Sequence, residues 1–243
     1  MLESNKVYCG DCFDLMPQIE DQSIDMILSD LPYSVTAKQK WDVELDLVKL
    51  WEQYERIIKD HGAMVFTAVE PFRTKLISSN FKLFRYDWIW LKNKCSGFLN
   101  SHKQPLRQHE SILVYYKKQP IYNPQKTKGH KPVHKYTKHS SDGDNYGTTK
   151  LLFSGGGQTD RYPTSILKFS VVNNDSKEKY LSAQKPLALF EYLIKTYTNE
   201  NDLVLDNCLG TGTSCVAAKN LNRKYIGIEI NEDYCKIAEE RLK

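Results

Sequence analysis

Between Leu203 and Glu229 the chain runs strand, glycine turn, helix, strand, acid, an order that leaves few folds open. Leu203-Val204-Leu205-Asp206 is a short apolar run of the kind buried in a parallel sheet. It enters Leu209-Gly210-Thr211-Gly212-Thr213. A helix is predicted from Thr213 to Leu221, a strand from Tyr225 to Ile230 and a last helix from Glu232 to Leu242. Just upstream, Pro186 opens a helix through Thr198 that places Leu187, Phe190, Leu193, Ile194 and Tyr197 on one face. Alternation of this kind predicts parallel strands in a sheet with helices on both faces.

The region up to about Lys118 alternates in the same way. Ile24 to Ser29 is a short strand. Glu44 to Asp60 is predicted as a helix with Leu47, Leu50, Trp51, Tyr54 and Ile58 inward, stopped by Gly62. Ala63 to Ala68 is the next buried strand, and Pro71 opens a short helix. Leu83 to Leu91 and Ser111 to Tyr116, rich in β-branched and aromatic residues, are two more strands.

From Lys117 to about Lys179 the periodicity breaks at Pro120, Pro124, Pro132 and Gly155-Gly156-Gly157. A loop-rich insert is expected here, over residues 119–179. Full disorder is the plain alternative, and the apolar run Ser165 to Val172 argues against it for the second half. Residues 117–150 hold eight Lys against two Asp, so this block carries +6 of a chain whose net charge is +4. A solvated loop is the usual reading of a charge run. Here the cations are mixed with His130, His134, His139, Tyr122, Tyr136 and Tyr146, a mixture that suits a polyanion such as nucleic acid.

The glycine turn suits a nucleotide-like ligand. Gly210 and Gly212 let backbone come close, and the helix that follows offers free N–H groups. Glu229, 23 residues after Asp206, stands where an acid can accept hydrogen bonds from both ribose hydroxyls. A purely structural turn and a nicotinamide-dinucleotide site are the alternatives. Cys215 stands where the third glycine of the dinucleotide fingerprint belongs, which weakens the second of these.

A second turn, Asp30-Leu31-Pro32-Tyr33, ends the strand Ile24 to Ser29. Its parts suit an exocyclic base amine, whose lone pair is delocalised into the ring. Accepting hydrogen bonds from both amine hydrogens favours a tetrahedral nitrogen with a localised pair. The Asp30 carboxylate can take one hydrogen and the Leu31 carbonyl the other. Pro32 fixes φ, and the face of the Tyr33 ring can stack on an extruded base. An ordinary strand-end turn is the alternative for four such residues alone.

Together these segments resemble the β-class amino-directed DNA methyltransferases, the adenine-N6 and cytosine-N4 enzymes. The catalytic turn precedes the recognition region and the cofactor turn comes last, as in that class. Gly10-Asp11-Cys12 resembles the segment that contacts the cofactor's adenine. Gln184-Lys185-Pro186-Leu187 resembles the segment before the first helix of the cofactor half. Asp206 to Ser214 resembles the family's glycine motif, and Gly227-Ile228-Glu229 its G-I-E/D. The resemblance implies a three-layer αβα, Rossmann-like class I methyltransferase sheet. Its catalytic half would be 1–118, its inserted target-recognition module 119–179, and its S-adenosyl-L-methionine-binding half 180–243.

It further implies catalytic roles for Asp30, Leu31, Pro32 and Tyr33. Cofactor contacts would come from Asp11, Cys12, Asp30, Lys185, Asp206, Cys208, Leu209, Gly210, Thr211, Gly212, Thr213, Glu229 and Ile230. Lys126, Lys128 and Lys131 would bind double-stranded DNA. Leu31 replaces the first proline of the family's turn and keeps the carbonyl. Asn207 and Cys208 replace its Pro-Phe and remove an aromatic contact. Asp30, where cytosine-N4 members mostly carry Ser, favours adenine. Cytosine-N4 or RNA methylation and a silent DNA-binding protein of the same fold are the rivals. No Pro-Cys pair exists to serve carbon-5 methylation.

Cys9 and Cys12 form a lone C-x-x-C among six cysteines. With no second pair to complete a zinc site, free thiols and no metal are expected. No apolar run reaches membrane-spanning length, and the first residues lack a signal-peptide pattern, so a cytoplasmic protein without a membrane partner is expected. Members of the class are often dimers.

Overall fold

The computed structural model describes residues 1–33, 44–138, 142–143, 147–148, 153–173, 175–176, 179–181 and 183–243. His139, Tyr146 and Lys150 of the basic block, and Ser182, lie outside the described residues. The chain divides into two compact units, one of residues 1–123 with 165–243 and one of 124–164.

The larger unit is built on eight strands: β1 (Lys6–Cys9), β2 (Ile24–Ser29), β3 (Ile58–Ala68), β4 (Phe84–Ser96), β5 (Arg107–Tyr115), β10 (Ile166–Lys168), β11 (Leu203–Asp206) and β12 (Lys224–Glu229). Their order in the sheet is β1-β12-β11-β2-β3-β5-β4-β10. All neighbours are parallel except β5, which runs antiparallel to both β3 and β4. The helices are α1 (Cys12–Leu15), α2 (Leu47–Ile57), α3 (Phe72–Ser79), α4 (Leu187–Tyr197), α5 (Thr213–Asn220) and α6 (Glu232–Arg241).

Side chains alternate across the strands, so each buried strand feeds two cores. On β3, Met64 and Phe66 join Leu50, Trp51 and Tyr54 of α2 on one face. Val65 joins Leu189 and Leu193 of α4 on the other, with Val204 of β11 and Ala217 of α5. The predicted three-layer αβα arrangement is therefore present. Phe66 lies 5.4 Å from Tyr54 in a stacked pair and 5.9 Å from Trp51 edge-on, which fixes α2 against the sheet.

One predicted helix differs. The apolar spacing predicts a single helix over residues 44–60, but α2 begins after Asp46, whose carboxylate accepts from Val48 N and Lys49 N. It ends at Ile57, because Ile58 turns extended (φ −73°, ψ 135°) and pairs with Ile24 of β2. A buried β-branched residue here gains more from the sheet than from another helical turn. Gly62 lies inside β3 rather than stopping the helix.

β11 and β2 are adjacent, yet the chain leaves β11 towards β12 on one side and β2 towards β3 on the other. Such a reversal opens a crevice at the carboxyl ends of the strands. Asp30 and Asp206 both stand there.

The smaller unit is a set of short ribbons. β6 (Tyr136–Lys138) pairs antiparallel with β9 (Phe153–Gly155), and β7 (Asp142–Gly143) with β8 (Gly147–Thr148). Backbone bonds between Thr127 and Arg161, and between Val133 and Gly157 with Gln158, continue the ribbon.

Candidate active site

A cleft of about 440 Å³ opens at the crevice, a size suited to a small-molecule cofactor. It is lined by Asp11, Cys12, Asp30, Leu31, Pro32, Tyr33, Lys185, Asp206, Cys208, Leu209, Gly210, Thr211, Thr213, Glu229 and Ile230. These residues come from five separated stretches of sequence.

The glycine turn is held from below. Asp206 is buried, and its carboxylate accepts from Ser29 Oγ (2.7 Å), Ser214 Oγ (2.5 Å) and Cys208 N (3.1 Å). Burial pushes its pKa up to about 6 despite those donors. Gly210 (φ +55°) and Gly212 (φ +89°) take left-handed conformations, which side chains resist. A Cβ on Gly212 would also lie 2.9 Å from Ala238 Cβ. Among the expected catalytic and cofactor residues, Gly212 is the one that does not line the cleft; it caps the start of α5.

Glu229 closes one end. Its Oε2 accepts from Gly210 N (2.7 Å) and its Oε1 from Asn231 N (2.9 Å). Each carboxylate oxygen has a further lone pair for a ligand. Burial raises its pKa. Gly10 N donates to the Glu229 carbonyl (2.9 Å), and Asp11 caps α1 through Phe13 N (2.8 Å), so the Gly10-Asp11-Cys12 segment is fixed beside the acid.

At the other end, Asp30 Oδ1 receives the Tyr33 hydroxyl at 2.7 Å and the Thr67 hydroxyl. Asp30 Oδ2 receives Lys185 Nζ at 2.6 Å. The Tyr33 ring stacks on Phe72, centroids 5.4 Å apart and planes at 28°, with Lys185 Nζ 5.5 Å from the ring centre. Burial and the neighbouring Asp30 charge hold the Tyr33 hydroxyl protonated, well above its ordinary pKa. Among the described residues, none donates to the Leu31 carbonyl.

Part of this site carries no motif in the sequence. Glu110 and Arg107 reach the cleft from β5, because an antiparallel strand brings its first residues to the edge where its neighbours end. Glu110 pairs with Lys92 Nζ (3.1 Å) and faces Lys185 Nζ (3.5 Å). Burial would lower the Lys185 pKa, but Asp30, Tyr33 and Glu110 override it and hold it well above the ordinary value. Thr67 and Ser29 were also unmarked. A strand-end hydroxyl adjoining Asp30 is the only sequence signal that Ser29 offers.

Lys126, Lys128 and Lys131 are exposed in the smaller unit. Lys126 pairs with Asp160 (3.0 Å) and lies 4.3 Å from the Tyr162 ring centre. All six cysteines are free, and among the described residues no cluster of His, Cys, Asp or Glu could hold a metal ion. No described helix is long and apolar enough to cross a membrane.

Residues 24–240 match the family model for N6/N4 methyltransferases described as DNA methylase. The chain is 28% identical over 250 residues to the type II methyltransferase M.HpaI of Haemophilus parainfluenzae, covering 98% of this chain and 74% of that protein. It is also 28% identical to M1.MboII of Moraxella bovis, covering 96% of this chain and 95% of that one. The crystal structure of the M1.HpyAVI–SAM complex superposes with a TM-score of 0.62 at 25% identity, over 97% of this chain and 98% of that one. The cytosine-N4-specific PvuII methyltransferase shares the fold at a TM-score of 0.69 and 16% identity, over 99% and 87%. With the family's two turns set at one switch point of the sheet, the chain belongs to the S-adenosylmethionine-dependent amino DNA methyltransferases, the enzymes of adenine N6 and cytosine N4.

Proposed function

We propose that this chain methylates the N6 amine of adenine in duplex DNA, after flipping the base into the cleft at Asp30. The observation that carries the reading is the pair of acceptors at the end of β2. Asp30 and Leu31 line one cleft with Glu229, and among the described residues none donates to the Leu31 carbonyl. Two acceptors on one amine localise its lone pair, and a fixed geometry supplies much of the rate.

The residues present fit the cofactor. Glu229 offers an ionisable carboxylate with free lone pairs to the ribose diol. Asp11 and Cys12 line the same cleft and would meet the cofactor's adenine ring. The turn from Asp206 through Thr213, with Ile230 beside it, forms the floor. When bound, S-adenosylmethionine supplies an electrophilic methyl group. The chain's own work is to seat the amine on Asp30 and Leu31, to stack the base against Tyr33 and to exclude water. As the amine nitrogen gains positive charge, Asp30 stabilises it and stands where it can receive the departing proton. Lys126, Lys128 and Lys131 bind backbone phosphates in this reading, within a recognition module spanning 119–179.

Asp30 in place of Ser supports adenine over cytosine. Nucleoside digestion and mass spectrometry of DNA methylated by the protein would decide it. N6-methyladenine is expected. N4-methylcytosine as the sole product would overturn the base and leave the catalytic turn standing, and methylation of RNA alone would overturn the substrate.

A further inference from the structure

Glu110 Oε2 is buried and accepts no hydrogen bond from any described residue. A buried carboxylate oxygen left in this state is costly. It lies 3.5 Å from Lys185 Nζ, within ion-pair range but beyond a good charge-assisted bond. The other oxygen of the same carboxylate is held by Lys92 at 3.1 Å, so Glu110 is anchored and a move of the Lys185 side chain would complete it. Lys185 in turn occupies Asp30 Oδ2 at 2.6 Å. The proposed function gives the target amine to the Asp30 carboxylate, whose other oxygen already accepts from Tyr33 and Thr67, so Oδ2 is the oxygen that Lys185 withholds.

We propose that Glu110 is a positioning residue that receives the Lys185 ammonium when the target amine takes Asp30, so that Lys185 moves between two carboxylates during each turnover. The inference rests on the proposed function of this cleft. Three physical points favour it. A shift of well under an ångström in Nζ turns the 3.5 Å contact into a full hydrogen bond at Oε2. Two lysines and two carboxylates keep the net charge of the cluster at zero with Lys185 on either partner, and an Asp30 released by Lys185 keeps the Tyr33 and Thr67 hydroxyls as donors. The target nitrogen gains positive charge as it is methylated, and an ammonium still seated on Asp30 would oppose that charge and weaken the acceptor. Burial works against the charged form of Glu110, yet Lys185 and Lys92 hold its pKa below the ordinary carboxylate value, so the second seat is anionic at neutral pH.

The test uses the full chain and its own target sequence, mapped first by sequencing methylated DNA. A wild-type protein that methylates no DNA defeats the proposed function before Glu110 is at issue. With an active wild type, Glu110→Gln should lower the single-turnover rate by about tenfold or more, with S-adenosylhomocysteine affinity within about twofold. Lys185→Met added to Glu110→Gln should recover rate, because it removes the cation that has lost its second seat. Binding gives a readout apart from activity. In the presence of S-adenosylhomocysteine, wild type should prefer duplex carrying the target base over duplex carrying its deamino analogue, and Glu110→Gln should lose that preference. Equal rates and equal preference in wild type and Glu110→Gln would overturn the inference. If Glu110→Gln fails to fold, Lys185→Met is compared with the double variant, in which the remaining pair is neutral. Equal rates support a role exerted through Lys185, and a further tenfold loss in the double variant overturns it.

Discussion

Ser29 Oγ donates to Asp206 Oδ1 at 2.7 Å, across 177 positions of sequence. This bond ties the end of β2 to the end of β11, and so ties the base-holding turn to the glycine turn. Asp206 thereby acts on both turns from beneath them. Its carboxylate accepts from three donors, so it shapes both turns from the floor of the cleft.

The buried Asp206 should give the protein a distinct pH dependence. Its pKa is about 6 in the folded chain against an ordinary 3.8, so the folded state holds the proton more tightly than the unfolded state. Its contribution to stability is therefore full below 3.8, declines as pH rises to about 6, and is flat above. A gap of about two pH units corresponds to ~3 kcal/mol. Asp206→Asn cannot ionise. Denaturant titration from pH 4 to 7 should show wild type losing stability relative to this variant by an amount of that order. A constant difference across the range would contradict the shift.

Asp30→Ala should abolish methyl transfer and leave S-adenosylhomocysteine bound, because Glu229 and the glycine turn stand at the other end of the cleft. Calorimetry and a transfer assay on one preparation would separate the two effects. Turnover within about tenfold of wild type would remove Asp30 from the chemistry.

Tyr33 offers a ring and a hydroxyl, and the structure gives each an engagement. The ring rests on Phe72, and the hydroxyl donates to Asp30 Oδ1 at 2.7 Å. The ring face is the contact expected from the sequence, with a role for the hydroxyl as the alternative. Tyr33→Phe should therefore cost activity too, by roughly the worth of one hydrogen bond to a charged group, ~1.5–3 kcal/mol. Tyr33→Ala should cost more, by a stacking contribution of ~1–3 kcal/mol. Steady-state kinetics of both variants would tell. A Phe variant equal to wild type would leave the hydroxyl without a catalytic part.

Glu229→Ala should weaken S-adenosylhomocysteine binding by about 1.5–3 kcal/mol, the loss of charged acceptors for the ribose. Gly210 N and Asn231 N lose their partner in the same variant, so melting temperature should also fall. Unchanged affinity in calorimetry would place the cofactor elsewhere.

What the sequence made legible was local. Ile24–Ser29 and Leu203–Asp206 are strands with the bounds read from their apolar runs, because a short buried strand between turns is written in consecutive residues. The two motif turns were legible for the same reason. Glu110 was not. Its partners Lys92 and Lys185 come from β4 and from the segment before α4, and no spacing rule links them. Ile58 was misplaced because its fate is decided by pairing with Ile24, a tertiary preference that overrides the helical pattern before it.

The three lysines named for DNA binding should not contribute equally. Lys128 and Lys131 are exposed, and no ion pair engages them among the described residues. Each that meets a phosphate releases counterions, so its replacement by Ala should reduce the log–log salt slope of DNA binding by about 0.9. Lys126 is already paired with Asp160 at 3.0 Å and sits over Tyr162. Moving it to a phosphate means giving up that partner, so Lys126→Ala should change both slope and affinity less than either of the others. Asp160→Asn should free Lys126 and raise affinity for all sequences. Fluorescence anisotropy with one duplex over a range of salt concentrations would measure the four slopes. If all four variants match wild type, this basic segment is a solvated surface and DNA is held elsewhere.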